Sequence, residues 1–201
     1  MRVHIGYSIS DRDFALLQDK LTDGITLSKG DDGLLRAITE FIEERGFKVV
    51  GPHQLDSGFL ADQGTLGSVA PNSQDHTDIV KGIEIVLAIG KLDIGQAIVI
   101  RNGYVLAVEA AEGTATMLAR CREFAWDHPA GVLVKLAKPG QELRADMPTI
   151  GIETIDQAAS AGLNGIAIEA RRTLIIDREQ VIEAANASGI FIHAFETEWD
   201  E

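Results

Sequence analysis

Leu34, Leu35, Ile38, Phe41 and Ile42 fall on one side of a helical wheel, and Arg36, Glu40, Glu43 and Glu44 fall on the other. The pattern predicts an amphipathic helix opening at Gly30-Asp31-Asp32-Gly33, capped by Asp31 or Asp32 and stopped by Gly46. The same period returns over Asp75–Lys91, with Ile79, Ile83, Val86 and Leu87 on the stripe, and over Thr114–Trp126, capped by Thr114. It returns again over Glu153–Ala161, stopped by Gly162, and over Arg178–Ala187, capped by Asp177. Between these lie strand-like runs at Arg2–Ser8, Phe47–Val50, Gly131–Leu136, Gly165–Glu169 and Ile190–His193. Ala97–Ile100 and Tyr104–Val108 flank Arg101-Asn102-Gly103, and Asn-Gly between two β-rich runs predicts a hairpin with a type I′ turn. Thr173–Ile176 is expected to fold back on Gly165–Glu169 as a second hairpin. Asp11–Lys20 reads as a brief helix or irregular segment. Gly51–Asn72 and Ala137–Gly151 read as polar loops, the former with room for one helical turn.

Helices and strands alternate, which predicts an α/β fold: a mixed sheet with helices packed on it, including two β-hairpins. The hairpins exclude a purely parallel doubly wound sheet. At 201 residues the chain suits one large domain, or one domain with a fragment of another. Apolar residues make up 45% and charged residues 24%, an ordinary globular balance. The formal charge of −13 argues against nucleic acid, which demands a surplus of Lys and Arg, and against general attraction to anionic membranes. The single cysteine, Cys121, allows no intrachain disulfide and no cysteine-based zinc site, and suits a reducing, cytoplasmic setting. Met1–Ser10 lacks the apolar core of a signal peptide, and the longest apolar candidate, Ile83–Ile89, is cut by Glu84 well short of a membrane span.

Candidate chemistry sits in five loop stretches. Asp31 and Asp32 read as helix caps or, since two exceed what one cap requires, as offering a carboxylate for a metal at the loop-to-helix turn. Asp93-Ile94-Gly95-Gln96 offers a polar lip ahead of the hairpin. In Glu109-Ala110-Ala111-Glu112-Gly113-Thr114, the Gly-Thr pair at a helix N-terminus suits a phosphate. The two acids beside it would repel that phosphate unless a divalent cation lies between them. Lys135 stands inside an apolar strand, where an ammonium group needs a partner, a ligand or a route to solvent. The stretch from Lys135 through Lys138 to Arg144 carries three cations against Glu142, a local reversal of sign in an acidic chain. Asp146, next to it in Arg144-Ala145-Asp146-Met147-Pro148-Thr149, is placed to bind metal or to act as a base on water. The histidines, His4, His53, His76, His128 and His193, show no metal-ligand spacing, and no GxGxxG, Walker A or GxSxG motif is present.

Several of these stretches occur together in a known pattern. Gly30-Asp31-Asp32-Gly33-Leu34-Leu35-Arg36 is followed by Gly46-Phe47-Lys48-Val49-Val50-Gly51-Pro52-His53. Leu92-Asp93-Ile94-Gly95-Gln96-Ala97 is followed by Val105–Thr114, then by Lys135–Gln141, Asp146–Gly151, Ala161-Gly162-Leu163 and Gly165-Ile166-Ala167. In this order, over roughly residues 28–195, they resemble the UDP-2,3-diacylglucosamine pyrophosphatases of the LpxI type.

The resemblance implies Mg²⁺-dependent hydrolysis of UDP-2,3-diacylglucosamine to UMP and 2,3-diacylglucosamine 1-phosphate, a step of lipid A biosynthesis in Gram-negative bacteria. It implies a cytoplasmic protein peripheral to the inner membrane, with transient contact at that surface and a lipid-linked UDP-sugar as its partner. Residues 30–195 match the family's C-terminal domain, 1–29 read as a remnant of the preceding domain (its last strand and linker), and 196–201 as an acidic tail. The uncovered Val3–Ser8 strand suggests a homodimer. Asp146 is the implied catalytic residue, and Asp32, Glu112 and Asp146 the metal ligands or water-orienting groups. Lys135, Lys138, Gln96, Thr114, Thr149 and Gln141 are the implied substrate-binding set. Ala115 stands where the family usually has Asp, and Arg171 where Gly is common. The alternative is a non-catalytic module that binds a nucleotide sugar or phospholipid, inactive because most of the N-terminal domain is absent.

Overall fold

The computed structural model describes residues 30–124 and 127–197. The chain divides into two compact units, one ending at Val49 and the other beginning at Val50. The predicted strand at Arg2–Ser8 and the tail beyond Thr197 lie outside the described residues.

In the first unit, helix α1 (Gly30–Glu43) follows the predicted stripe. It starts early enough to place Asp31 and Asp32 inside its first turn, so neither is the cap. Gly46, at φ +84°, ends the following turn, and the Arg45 guanidinium lies 3.3 Å above the Phe41 ring. Phe47–Val50 is irregular rather than a strand. It belongs to neither sheet among the described residues.

The second unit is built on a six-stranded mixed sheet in the order β1-β8-β6-β4-β2-β3. The strands are β1 (Gly64–Leu66), β2 (Ala97–Arg101), β3 (Tyr104–Val108), β4 (Val132–Lys135), β6 (Gly165–Glu169) and β8 (Phe191–Phe195). β4, β6 and β8 run parallel, while β2, β3 and β1 run antiparallel to their neighbours. Side-chain alternation splits the core into two layers. Ile98, Ile100, Val132 and Val134 face helix α2 (Ser73–Lys91), which contributes Ile79 and Val86. Val99, Leu133, Ile166 and Ile192 face the other way, onto Met117 and Leu118 of α3 (Gly113–Cys121), Ile155 of α4 (Ile152–Ser160) and Val181 of α5 (Arg178–Ser188). Gly82 lets α2 approach the sheet: a Cβ there would sit 2.5 Å from a Val134 methyl.

The β2–β3 hairpin forms as expected, with Asn102 at φ +49° and Gly103 at φ +78°. The second hairpin does not form. Both sides of β6 are already occupied, by β4 and by β8, so Leu174–Ile175 (β7) pairs in parallel with Thr149–Ile150 (β5) in a separate two-stranded sheet. The loop from Gly51 does hold a helical turn, Pro52–Leu55, but it also holds β1, a three-residue strand too short to show a period. α2 starts ahead of the predicted Asp75, capped by Asn72, whose side chain accepts from the N–H groups of Gln74 and Asp75. α3 gives way to a tight turn over Arg122–Phe124. Thr114 does not cap α3, and Asp177 precedes α5 at φ +54° without a side-chain cap bond.

Candidate functional site

The C-terminal ends of β3, β4 and β6 and the N-terminal end of β2 meet along one end of the sheet, where open α/β sheets usually place ligands. Lys135 closes β4. Alternation turns its side chain to the α3 layer together with Leu133, and only 7% of the residue is exposed. Its Nζ donates to Thr114 Oγ1 at 2.8 Å. The Thr114 hydroxyl donates to Glu109 Oε1, and Glu109 Oε2 accepts the Gln96 N–H at 3.1 Å. Gly95 makes this join possible, because a Cβ there would lie 2.1 Å from the Glu109 carbonyl oxygen. Burial pushes the Lys135 ammonium below its ordinary value, and the negative charges of Glu109 and Asp146 pull it back up. Lys135 is therefore an amine held out of water with carboxylates nearby, placed where an anion could join it.

The loop after β4 brings the second cation and the candidate base. Gln141, 7% exposed, organises it. Its Oε1 accepts the Lys138 N–H at 2.8 Å, and its Nε2 donates to Asp146 Oδ2 at 2.7 Å and to Gln96 Oε1 at 3.4 Å. The Asp146 N–H is fixed by the Glu142 carbonyl at 2.9 Å. Lys138 Nζ forms an ion pair with Asp93 Oδ1. Asp93 is held at φ +53°, and its other oxygen is buried without a hydrogen-bond partner.

The structure thus gathers Lys135, Lys138, Gln96, Gln141, Thr114 and Asp146 at one sheet end. Thr149 is elsewhere: exposed on β5, its hydroxyl donates to the Met147 carbonyl at 2.9 Å. Glu112 forms an ion pair with Arg120. Asp32 lies in the first unit, 3.1 Å from Arg36. Glu109 and Asp93, which stand in two of the candidate loop stretches but outside the implied ligand set, take part instead. The usable signal for Glu109 was its position directly between a strand and the N-terminus of a helix.

Among the described residues, no group of three or more His, Cys, Asp or Glu side chains is arranged to hold a metal ion. Mg²⁺ commonly binds through one or two carboxylates and completes its shell with phosphate oxygens and water. The donor set here fits that mode. Asp146 has a second oxygen beyond the one bonded to Gln141, and the orphaned Asp93 oxygen is a buried acceptor in want of a cation or donor.

At the opposite end of the sheet, a polar cavity of about 240 Å³ is lined by Asp75, Asp78, Asn102 and Asn164, among others. Both acids are buried and fully engaged. Asp78 accepts from the Asn102 and Gly103 N–H groups at 2.8 and 2.7 Å, and Asp75 accepts from the Asn72 N–H and Asn164 Nδ2 at 2.9 and 3.1 Å.

Residues 62–193 match the model of the LpxI C-terminal domain. The chain belongs to that family. It is also 44% identical over 174 residues to a UDP-2,3-diacylglucosamine pyrophosphatase LpxI of Caulobacter vibrioides. The aligned region covers 84% of this chain and 62% of that relative, so the chain spans less than two thirds of the relative's length. Lys135, Lys138, Gln96, Gln141, Thr114 and Asp146 all lie inside the matched LpxI C-terminal domain, whereas Asp32 precedes it.

Proposed function

We propose that this LpxI-family protein hydrolyses the pyrophosphate bond of UDP-2,3-diacylglucosamine, releasing UMP and 2,3-diacylglucosamine 1-phosphate for lipid A biosynthesis. The observation that carries this reading is the buried Lys135 at the same sheet end as Lys138 and Asp146, in a chain 44% identical to a relative named for that activity. Water adds to one phosphorus, the bridging P–O bond breaks, and negative charge grows on the phosphoryl oxygens and the leaving phosphate. Lys135, held by Thr114, meets that charge in a site of low dielectric, where a fixed cation stabilises it more strongly than in water. Lys138 exchanges its pairing with Asp93 for the diphosphate. Asp146, aimed by Gln141, orients the attacking water and accepts its proton. Mg²⁺ arriving with the diphosphate would be held by Asp146 and Asp93 and would neutralise phosphoryl charge.

Leu92 and Ile94 flank Asp93 and are exposed, which supports a brief peripheral contact with the cytoplasmic face of the inner membrane while the diacyl substrate is engaged. No helix among the described residues is long and apolar enough to cross a membrane.

The test is UMP release from UDP-2,3-diacylglucosamine with Mg²⁺ and with EDTA, using this chain and a version extended upstream. Mg²⁺-dependent release is expected. Binding of the substrate without release by either version would replace the enzyme with a binding module.

A further inference from the structure

Glu169 is the last residue of β6, at the centre of the sheet, and its side chain is 1% exposed. A carboxylate is costly to bury unless its oxygens are engaged. Oε2 accepts the Ala137 N–H at 3.2 Å, Oε1 accepts the Thr197 hydroxyl, and Arg172 Nε lies 3.3 Å from Oε1. Its position explains what those bonds do. The parallel ladder between β4 and β6 ends at Lys135 opposite Ile168. Beyond it, Leu136 turns its N–H to the Gln96 carbonyl, and Ala137 turns its N–H to the Glu169 side chain instead of to backbone. The chain leaves the sheet at this point and becomes the loop that carries Lys138, Gln141 and Asp146.

Two side-chain acceptors therefore hold successive N–H groups at the root of that loop. Glu169 takes Ala137, and Gln141 takes Lys138 at 2.8 Å. Gln141 in turn holds Asp146 at 2.7 Å. We propose that Glu169 is a positioning residue for the site: it fixes the angle at which the loop after β4 departs and so the placement of Lys138 and Asp146. It also ties that loop to the turn after β6, through Arg172, and to the segment after β8, through Thr197. A buried carboxylate with both oxygens hydrogen-bonded is held in one geometry, which is what a loop bearing reactive groups needs.

The proposal rests on the hydrolytic reading of this site for its kinetic consequence and is independent of it for its structural one. The structural test is amide hydrogen exchange on the full chain as wild type, Glu169→Ala and Glu169→Gln. In Glu169→Ala, exchange over Ala137–Asp146 should rise about tenfold, while the β4 and β6 amides stay within about twofold. Glu169→Gln keeps an acceptor for Ala137 and should bring the loop within about threefold of wild type. In UMP release, Glu169→Ala should lower kcat about tenfold at a KM changed less than about threefold, and Glu169→Gln should recover most of the rate. Unchanged loop exchange in Glu169→Ala overturns the proposal, as does a loosened loop with undiminished kcat. If Glu169→Ala loosens the whole sheet, Glu169→Gln decides alone, and a loop as exposed as after removal of the carboxylate overturns the proposal. Wild type that releases no UMP, both as this chain and in the version extended upstream, refutes the hydrolytic reading, and loop exchange still decides the role of Glu169.

Discussion

The two ends of the central sheet both bury charged side chains, and they use them in opposite ways. At the hairpin end, Asp75 and Asp78 accept from backbone N–H groups of a helix cap and a β-turn. Their charge serves to close local structure, and few of their lone pairs are left over. At the other end, Lys135, Lys138, Asp93 and Asp146 are engaged mainly by other side chains that can be traded for a ligand. Burial alone does not separate a structural from a functional ionisable group. The partner does: a backbone partner fixes the charge in place, and a side-chain partner leaves it transferable.

The contrast can be broken by substitution. Asp146→Ala should give the largest effect, a loss of about 10²–10⁴-fold in kcat for UMP release, with the melting temperature nearly unchanged. Lys135→Met should cost about 10²-fold in kcat/KM, because one fixed electrostatic contact to the developing charge is lost. The same change removes a costly desolvated ammonium together with the positive charge that faces buried Glu109, two opposed effects, so stability in denaturant titration should fall less than in Asp78→Ala. Asp78→Ala should do the reverse. Two turn N–H groups lose their acceptor, at a cost of about 2–4 kcal/mol in chemical unfolding, while kcat stays within about twofold. A large kcat loss in Asp78→Ala, or a large stability loss in Lys135→Met, would erase the distinction between the two ends.

The smallest effect is in pH. The folded protein holds the Lys135 proton less tightly than the unfolded chain does. Between the lowered folded value and the ordinary 10.5, the unfolded state binds more protons, so this group's contribution to stability rises with pH across that window. Its burial penalty is full below the folded value and is relieved above it. In the same window the neutral amine no longer attracts a diphosphate, so KM should climb. Lys135→Met should lack both trends, as followed by thermal melts and KM between neutral and alkaline pH.

Much of this was legible from the residues. A lysine in an apolar strand announces that it has a partner, and Lys135 has one. Asn102-Gly103 specified its own turn because both positions require positive φ. The helices followed their stripes, since an apolar face dictates local conformation. What escaped were choices made between distant segments. Thr173–Ile176 is a good strand, but nothing local says that β6 has no free side. Gly64–Leu66 is too short to carry a period. Glu109 and Glu112 stand three residues apart, and spacing could not tell which would face Thr114 and which Arg120. Asp32 had the composition of a ligand and belongs to a different compact unit from the lysines.

The pairing of β1 with β8 sets an order of events during synthesis. Gly64–Leu66 emerges early, yet its partner, Ile192–Ala194, is more than a hundred residues away. β6 likewise waits for β8 on one side. Neither the edge strand nor the parallel centre can close until that last strand has left the ribosome. Pairings of such long range form slowly and leave strand edges open in the meantime. The nascent chain therefore passes through a period in which β1 and β6 are templates without partners, and it is then that the protein most needs protection from its neighbours.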